Sequence, residues 1–199
     1  GINVDQAKLS EAVKKAERQF DEDLDGTRRE LMEVPFWRRF DSFLAKELGV
    51  DIDLGRFSKD CEEIFSKATY DVGNWAAYPD ALPTLDALKA RGFKLGMISN
   101  ATDLARKVLV NLDMERRFDF VVISSEVGVS KPSPDIFHLA LRKANVHPHR
   151  ALYVGARLNI DVRGARRAGM QAVLIDREDL YPDADAIRIR DLKGLTRFL

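Results

Sequence analysis

Only one cysteine, Cys61, occurs among the 199 residues, so no intrachain disulfide can form and the thiol suits a reducing compartment. Long hydrophobic runs are also missing: none approaches the roughly 20 apolar residues a bilayer-spanning helix needs, and no signal-peptide pattern opens the chain. A cytoplasmic location is the resulting expectation. Neither sign of charge is in excess, since 32 Lys and Arg face 32 Asp and Glu, and no long basic block stands out. The electrostatic case for nucleic acid or an anionic membrane as partner is therefore absent. Internal repeats and low-complexity tracts are lacking as well. The sequence begins with Gly1 in place of Met, which points to processing, tagging or trimming.

What is present suits a packed protein with a well-solvated surface, at 45% hydrophobic and 32% charged residues. The length fits one domain, or a core domain with a modest cap. Residues 1–75 are helical in pattern. Leu9, Val13, Ala16 and Phe20 recur at three- and four-residue steps and predict one amphipathic helix. Phe36, Trp37, Phe40, Phe43, Leu44 and Leu48 predict a second, stopped by Gly49. Leu54, Phe57, Cys61, Ile64 and Phe65 predict a third, on which Cys61 reads as a structural thiol. Trp37 and Trp75 read as core aromatics ahead of a pocket lining. No β pattern interrupts these stripes, so residues 1–75 form an all-α unit.

Near Tyr78-Pro79-Asp80-Ala81-Leu82-Pro83 the pattern changes, and short apolar runs begin to alternate with helices. Strands are expected at 94–99, 120–124, 151–155 and 171–176, with a last short run at 186–189. Helices are expected at 83–91, 101–112, 133–145, 161–168 and 192–199. Gly92 and Gly169 each sit between a helix and the next strand, where a left-handed cap belongs. This alternation predicts an α/β fold over residues 76–199: a Rossmann-like parallel sheet with helices on both faces.

Three of these strands deliver polar residues at their carboxyl ends, the edge where open α/β sheets bind ligands. Ser99-Asn100 ends the first, where a hydroxyl and an amide meet the free N–H groups of a starting helix. Asn is equally a common N-cap without any ligand. Lys131 precedes Pro132-Ser133-Pro134, which fixes the backbone, so a point charge for phosphate or carboxylate is set against a solvated loop lysine. Asp161 opens a helix, where a carboxylate can meet a metal or favour the helix dipole. His138, His147 and His149 show no ligand spacing.

The order and dressing of these ends resemble the haloacid dehalogenase-like hydrolase superfamily, in its phosphatase-like branch with a helical cap of the first type. The matching stretches are Ile98-Ser99-Asn100-Ala101, Val129 through Phe137 with Ser130-Lys131-Pro132-Ser133-Pro134, and Tyr153-Val154-Gly155 through Asp161 to Met170. With the lead-in at 78–85 and the upstream helices, the resemblance covers nearly the whole chain. It implies phosphomonoester hydrolysis with an aspartate nucleophile at the end of the central strand and Mg²⁺ as cofactor. By the same resemblance Ser99 and Asn100 bind the substrate's phosphoryl group, Lys131 neutralises charge, and Asp161 serves the metal. The implied partner is a small phosphorylated molecule.

Two departures weigh on that implication. Asp23-Leu24-Asp25-Gly26-Thr27 has the letters of the nucleophile motif but follows a charged helix face instead of a buried strand, so it reads as a decoy. The first strand is then missing between the strands ending at Ser99 and Gly155. Either further upstream residues, another segment or chain, or a rearranged sheet must fill that slot, because two facing bare edges invite aggregation. The family's Gly-Asp is Gly155-Ala156 here, and Ala156 cannot ligate a cation. The alternatives are a catalytically silent ligand- or protein-binding relative, and a 2-haloacid dehalogenase, which would want an asparagine where Leu158 stands. Nothing among Trp37, Arg38, Arg39 and Trp75 singles out a substrate, and the oligomeric state is open.

Overall fold

The computed structural model describes residues 5–23, 36–50 and 71–198, with isolated positions 53, 55, 56, 59 and 63; of 36–39 it describes the backbone alone. Helix α1 (Gln6–Asp23) forms along the predicted stripe. Asp5 starts it by accepting the Ala7 and Lys8 N–H groups at 2.9 and 3.1 Å, which satisfies donors the first turn cannot. Helix α2 (Phe36–Leu48) stops at Gly49, whose φ of 66° suits a residue without Cβ. The two helices share a small core of Ala12, Ala16 and Leu44, backed by Val13, Phe40, Phe43 and Leu48. The third predicted helix, most of which including Cys61 is masked, and the Trp37 side chain lie outside the described residues. Trp75 is 44% exposed, contrary to the core expectation. It follows a single 3₁₀ turn, Val72–Asn74, that buries none of its residues.

From Ala81 onward the chain alternates as expected. Helix α3 (Ala81–Ala90) leads to β1 (Gly96–Ser99), then α4 (Leu104–Asn111), β2 (Phe120–Ile123) and α5 (Pro134–Ala144). Strand β3 (Leu152–Gly155) leads into a π-helical turn, Leu158–Arg163, which continues as α6 (Gly164–Arg167) before β4 (Gln171–Ile175) and β5 (Ile187–Ile189). Gly92 and Gly169 both have φ of 81°, the predicted left-handed caps. The closing segment, expected as an α-helix, is the 3₁₀ stretch Leu192–Arg197.

All pairing is parallel, but the strands form two sheets: β1–β2 and β3–β4–β5. Gly96 faces Phe120 in the first, and Leu152 faces Gln171 in the second. Among the described residues the second edges of β1 and β3 are unpaired. That break falls between the strands ending at Ser99 and Gly155, the slot singled out from the sequence. Packing nonetheless joins the halves: Val122 of one sheet and Ala172 and Leu174 of the other belong to one core with Ile136, Phe137 and Ala140 of α5. Strand β4, paired on both sides, buries Ala172, Val173 and Leu174, whereas Leu152, Tyr153 and Val154 of β3 are half-buried.

The end of the chain is tied to its middle by buried Asp80, which accepts from Arg177 at 2.9 Å and from the Leu192 N–H at 2.7 Å. Arg177 also lies over the Tyr78 ring at 3.9 Å. Burial works against the Asp80 anion, but the Arg177 and Leu192 bonds outweigh it and hold the carboxyl below its ordinary 3.8. The stability this group contributes is thus present above the unfolded value and lost as pH falls through the lower folded one. Replacing Asp80 by Asn should lower stability by about 1–3 kcal/mol at neutral pH, because Arg177 and Leu192 lose a charged acceptor. Urea titrations at several pH values check this: the variant should lose part of the wild-type drop in stability below pH 4. Phe137→Ala should cost about 3–5 kcal/mol in the same assay, since its fully buried ring anchors the core common to both sheets.

Candidate functional site

Lys131 is held at both ends. The Asn100 side-chain amide donates to the Lys131 carbonyl and accepts from its N–H, each at 2.8 Å. The peptide to Pro132 is cis, and Ser133 then caps α5 by accepting from the Asp135 N–H, with proline in the first turn. So placed, the lysine extends across the break between the sheets. Its Nζ donates to the Ile98 carbonyl on β1 at 3.3 Å, to the Tyr153 hydroxyl on β3 at 3.1 Å, and to Asp161 Oδ1 at 2.6 Å. The Lys131 and Asp161 side chains retain only 11% and 8% exposure. All three donors of the ammonium are therefore used inside the protein.

Asp161 is equally engaged. Oδ1 accepts from Lys131 and from the Tyr153 hydroxyl at 3.2 Å, while Oδ2 accepts from the Ala156 and Arg157 N–H groups at 3.1 and 3.0 Å. Close approach makes this fit. A Cβ on Gly155 would lie 2.3 Å from the Asp161 Cβ, so only glycine lets β3 end beneath the carboxylate. The Arg157 carbonyl accepts from both the Asp161 and Val162 N–H groups at 3.1 Å, and this widened turn sets the carboxylate back over its own loop. Tyr153 is fixed by the edge of the Phe137 ring, 5.1 Å away. Burial first, and then the neighbouring Asp161 charge, push its hydroxyl far above the usual range, so it stays a proton donor.

Hydrogen bonds join Asn100, Lys131 and Asp161 at the carboxyl strand ends, and Ser99 is the last residue of β1. Their hydrogen-bonding differs from one to the next. Ser99 is half-buried, and no partner among the described residues holds its hydroxyl, which leaves it free for a ligand. Asn100 ties its amide to the Lys131 backbone, donating to its carbonyl and accepting from its N–H. Asp161 is the counter-ion of Lys131. Each Asp161 oxygen already accepts two bonds and the Ala156 side chain carries no donor atom, so these two side chains do not by themselves make a Mg²⁺ site. Among the described residues no three His, Cys, Asp or Glu side chains converge to hold a metal ion. Asp23 is the last residue of α1, not the end of a strand, and Asp25 lies outside the described residues.

Sequence reasoning missed Asp21, Tyr153, Asn159 and Tyr181. Asp21 is fully buried and reaches the same loop from α1, accepting from the Asn159 and Ile160 N–H groups at 3.0 and 3.3 Å and from the Tyr181 hydroxyl at 3.0 Å. Its partners lie 138 or more positions away, and no local pattern marks them. The one available signal was a carboxylate bordering the apolar face of α1, next to Phe20.

A family model described as a haloacid dehalogenase-like hydrolase matches residues 4–169. A glyceraldehyde 3-phosphate phosphatase of Methanopyrus kandleri is 42% identical over 133 residues, 61% of this chain and 57% of that protein. A phosphoserine phosphatase of Thermus thermophilus is 40% identical over 120 residues, 58% of this chain and 48% of that one. The chain thus spans about half the length of these curated relatives. Among solved structures, a HAD phosphatase from Thermococcus onnurineus superposes with TM-score 0.62 at 28% identity, covering 96% of this chain and 88% of its own. A 2-haloacid dehalogenase from Pseudomonas syringae does so with TM-score 0.56, also at 28% identity, covering 99% and 83%.

The buried ion pair generates a direct prediction. Lys131→Met alone leaves the Asp161 charge buried without its cation and should cost about 3–5 kcal/mol in urea denaturation. Lys131→Met combined with Asp161→Asn should cost less than that single change, because the stranded charge goes with its partner while an oxygen remains for the loop N–H groups.

Proposed function

Since the chain belongs to the haloacid dehalogenase-like hydrolases, we propose that it is a phosphatase-type member acting on a small phosphorylated molecule. One observation carries the reading: a buried ammonium at the carboxyl strand ends, fixed from three sides by the Ile98 carbonyl, the Tyr153 hydroxyl and the Asp161 carboxylate. Phosphoryl transfer asks little covalent chemistry of a protein and much positioning and charge neutralisation. Lys131 supplies the positive charge, and Asp161 and Tyr153 hold it in line. Ser99 hydrogen-bonds a phosphoryl oxygen.

The aspartate nucleophile is assigned to a parallel strand in the slot between β1 and β3, whose unpaired edges support that placement. Whether the strand comes from the same chain or a second copy, its carboxyl end would lie beside the Lys131 ammonium. Helices α1 and α2, with a core of their own, fit the part of a cap over the sheet ends. The names of the matching relatives make three-carbon phosphate monoesters, such as glyceraldehyde 3-phosphate and phosphoserine, the first substrates to test. Saturation of Asp161 favours a second reading, a relative that binds phosphate without turnover.

Hydrolysis of a phosphate monoester panel separates the two. The phosphatase reading expects turnover that falls at least about 100-fold in Lys131→Ala, the scale of one lost charge-stabilising group. Turnover that persists in Lys131→Ala at the wild-type rate sinks it. An inert protein that inorganic phosphate still stabilises against heat establishes the binding role instead. Ala156→Asp, which restores a carboxylate at the loop, should raise both Mg²⁺ affinity and rate.

A further inference from the structure

Helix α1 reaches the site loop through two residues one turn apart, Glu17 and Asp21. Arg157 donates to the Glu17 carbonyl at 3.1 Å and pairs with its carboxylate at 3.5 Å. Asp21 caps the turn that follows, its two carboxylate oxygens accepting the Asn159 and Ile160 N–H groups. The Asn159 side chain returns the contact by donating to the Asp21 carbonyl at 2.8 Å, while its own oxygen accepts from Arg163 at 2.6 Å. Tyr181, from beyond β4, closes the cluster from the other side with a 3.0 Å bond to Asp21.

These bonds straddle the residues that fix Asp161. The Arg157 N–H that Asp161 accepts belongs to the residue gripping Glu17, and Asn159 and Ile160 immediately precede Asp161 in the turn. We propose that Asp21 is a positioning residue, through which the last turn of α1 holds the 156–161 loop in the shape that delivers the Asp161 carboxylate to Lys131. The inference rests on the phosphate-site reading of Lys131 and Asp161. Burying Asp21 has a cost that a merely stabilising contact need not bear. Desolvation raises its carboxyl above the ordinary 3.8, against the opposing pull of the Asn159, Ile160 and Tyr181 bonds and the Arg157 charge. An uncharged amide of the same shape would avoid that cost but could not accept both N–H groups.

Asp21→Asn makes the test, with amide hydrogen exchange as the first readout. The reporters are the Ala156 and Arg157 amides, which bond to Asp161 and not to Asp21. They should exchange about tenfold faster, the equivalent of one lost hydrogen bond, while the Val173 and Leu174 amides of β4 stay as in wild type. Binding of inorganic phosphate, measured by calorimetry, should weaken by about the same factor. Tyr181→Phe, which leaves the carboxylate and both N–H bonds intact, should show a smaller change in the same direction, and it decides the matter if the Asn variant does not fold. Reporter amides that keep their wild-type rates, or that speed up only together with β4, overturn the role of Asp21. Unaltered phosphate affinity in Asp21→Asn overturns it too. Wild-type protein that fails to bind inorganic phosphate refutes the phosphate-site reading, and the exchange rates still decide whether Asp21 sets the loop.

Discussion

The Lys131 ammonium bridges the two sheets of this protein at their carboxyl ends, beside the core they share. It takes a carbonyl from β1, a hydroxyl from β3 and a carboxylate from the turn after β3, and no backbone ladder joins those strands among the described residues. A charge with so little exposure is tolerable only because each of its protons has an acceptor and one acceptor is an anion. Much nearby structure is organised to keep it so. Asn100 clamps its peptide, Gly155 lets Asp161 approach, Phe137 fixes the Tyr153 ring, and Asp21 braces the loop on the far side.

That saturation also bears on chemistry. The turn after β3 places an alanine beside a carboxylate whose two oxygens each already accept two hydrogen bonds. The charge on Lys131 is therefore balanced by the protein itself. On the phosphatase proposal, an incoming phosphoryl group would compete with Asp161 for the ammonium, or share it.

Helix α1 links two levels of the fold that the sequence keeps apart. Its face of Ala12, Ala16 and Phe20 follows helical periodicity, and packing against α2 follows from that alone. Asp21 breaks the pattern by placing a carboxylate on the buried side. The break makes sense only beside Asn159, Ile160 and Tyr181, all from the far end of the chain. A local rule violated at one residue thus marks a contact with the site loop.

Periodicity alone determined the helix–strand alternation, the left-handed caps at Gly92 and Gly169, and the three polar strand ends, because each depends on neighbours a few residues apart. The family resemblance, not periodicity, pointed to a gap between the strands ending at Ser99 and Gly155, and the two sheets part at that place among the described residues. Tertiary structure alone decided which groups those polar ends bond. It clamps the Lys131 peptide with Asn100, pairs Asp161 with the Lys131 ammonium, and adds Tyr153 and Asp21, which the sequence had not singled out. Hydrogen-bond saturation is a property of groups converging in space from distant parts of the chain, and residue order does not encode which lone pairs are already taken.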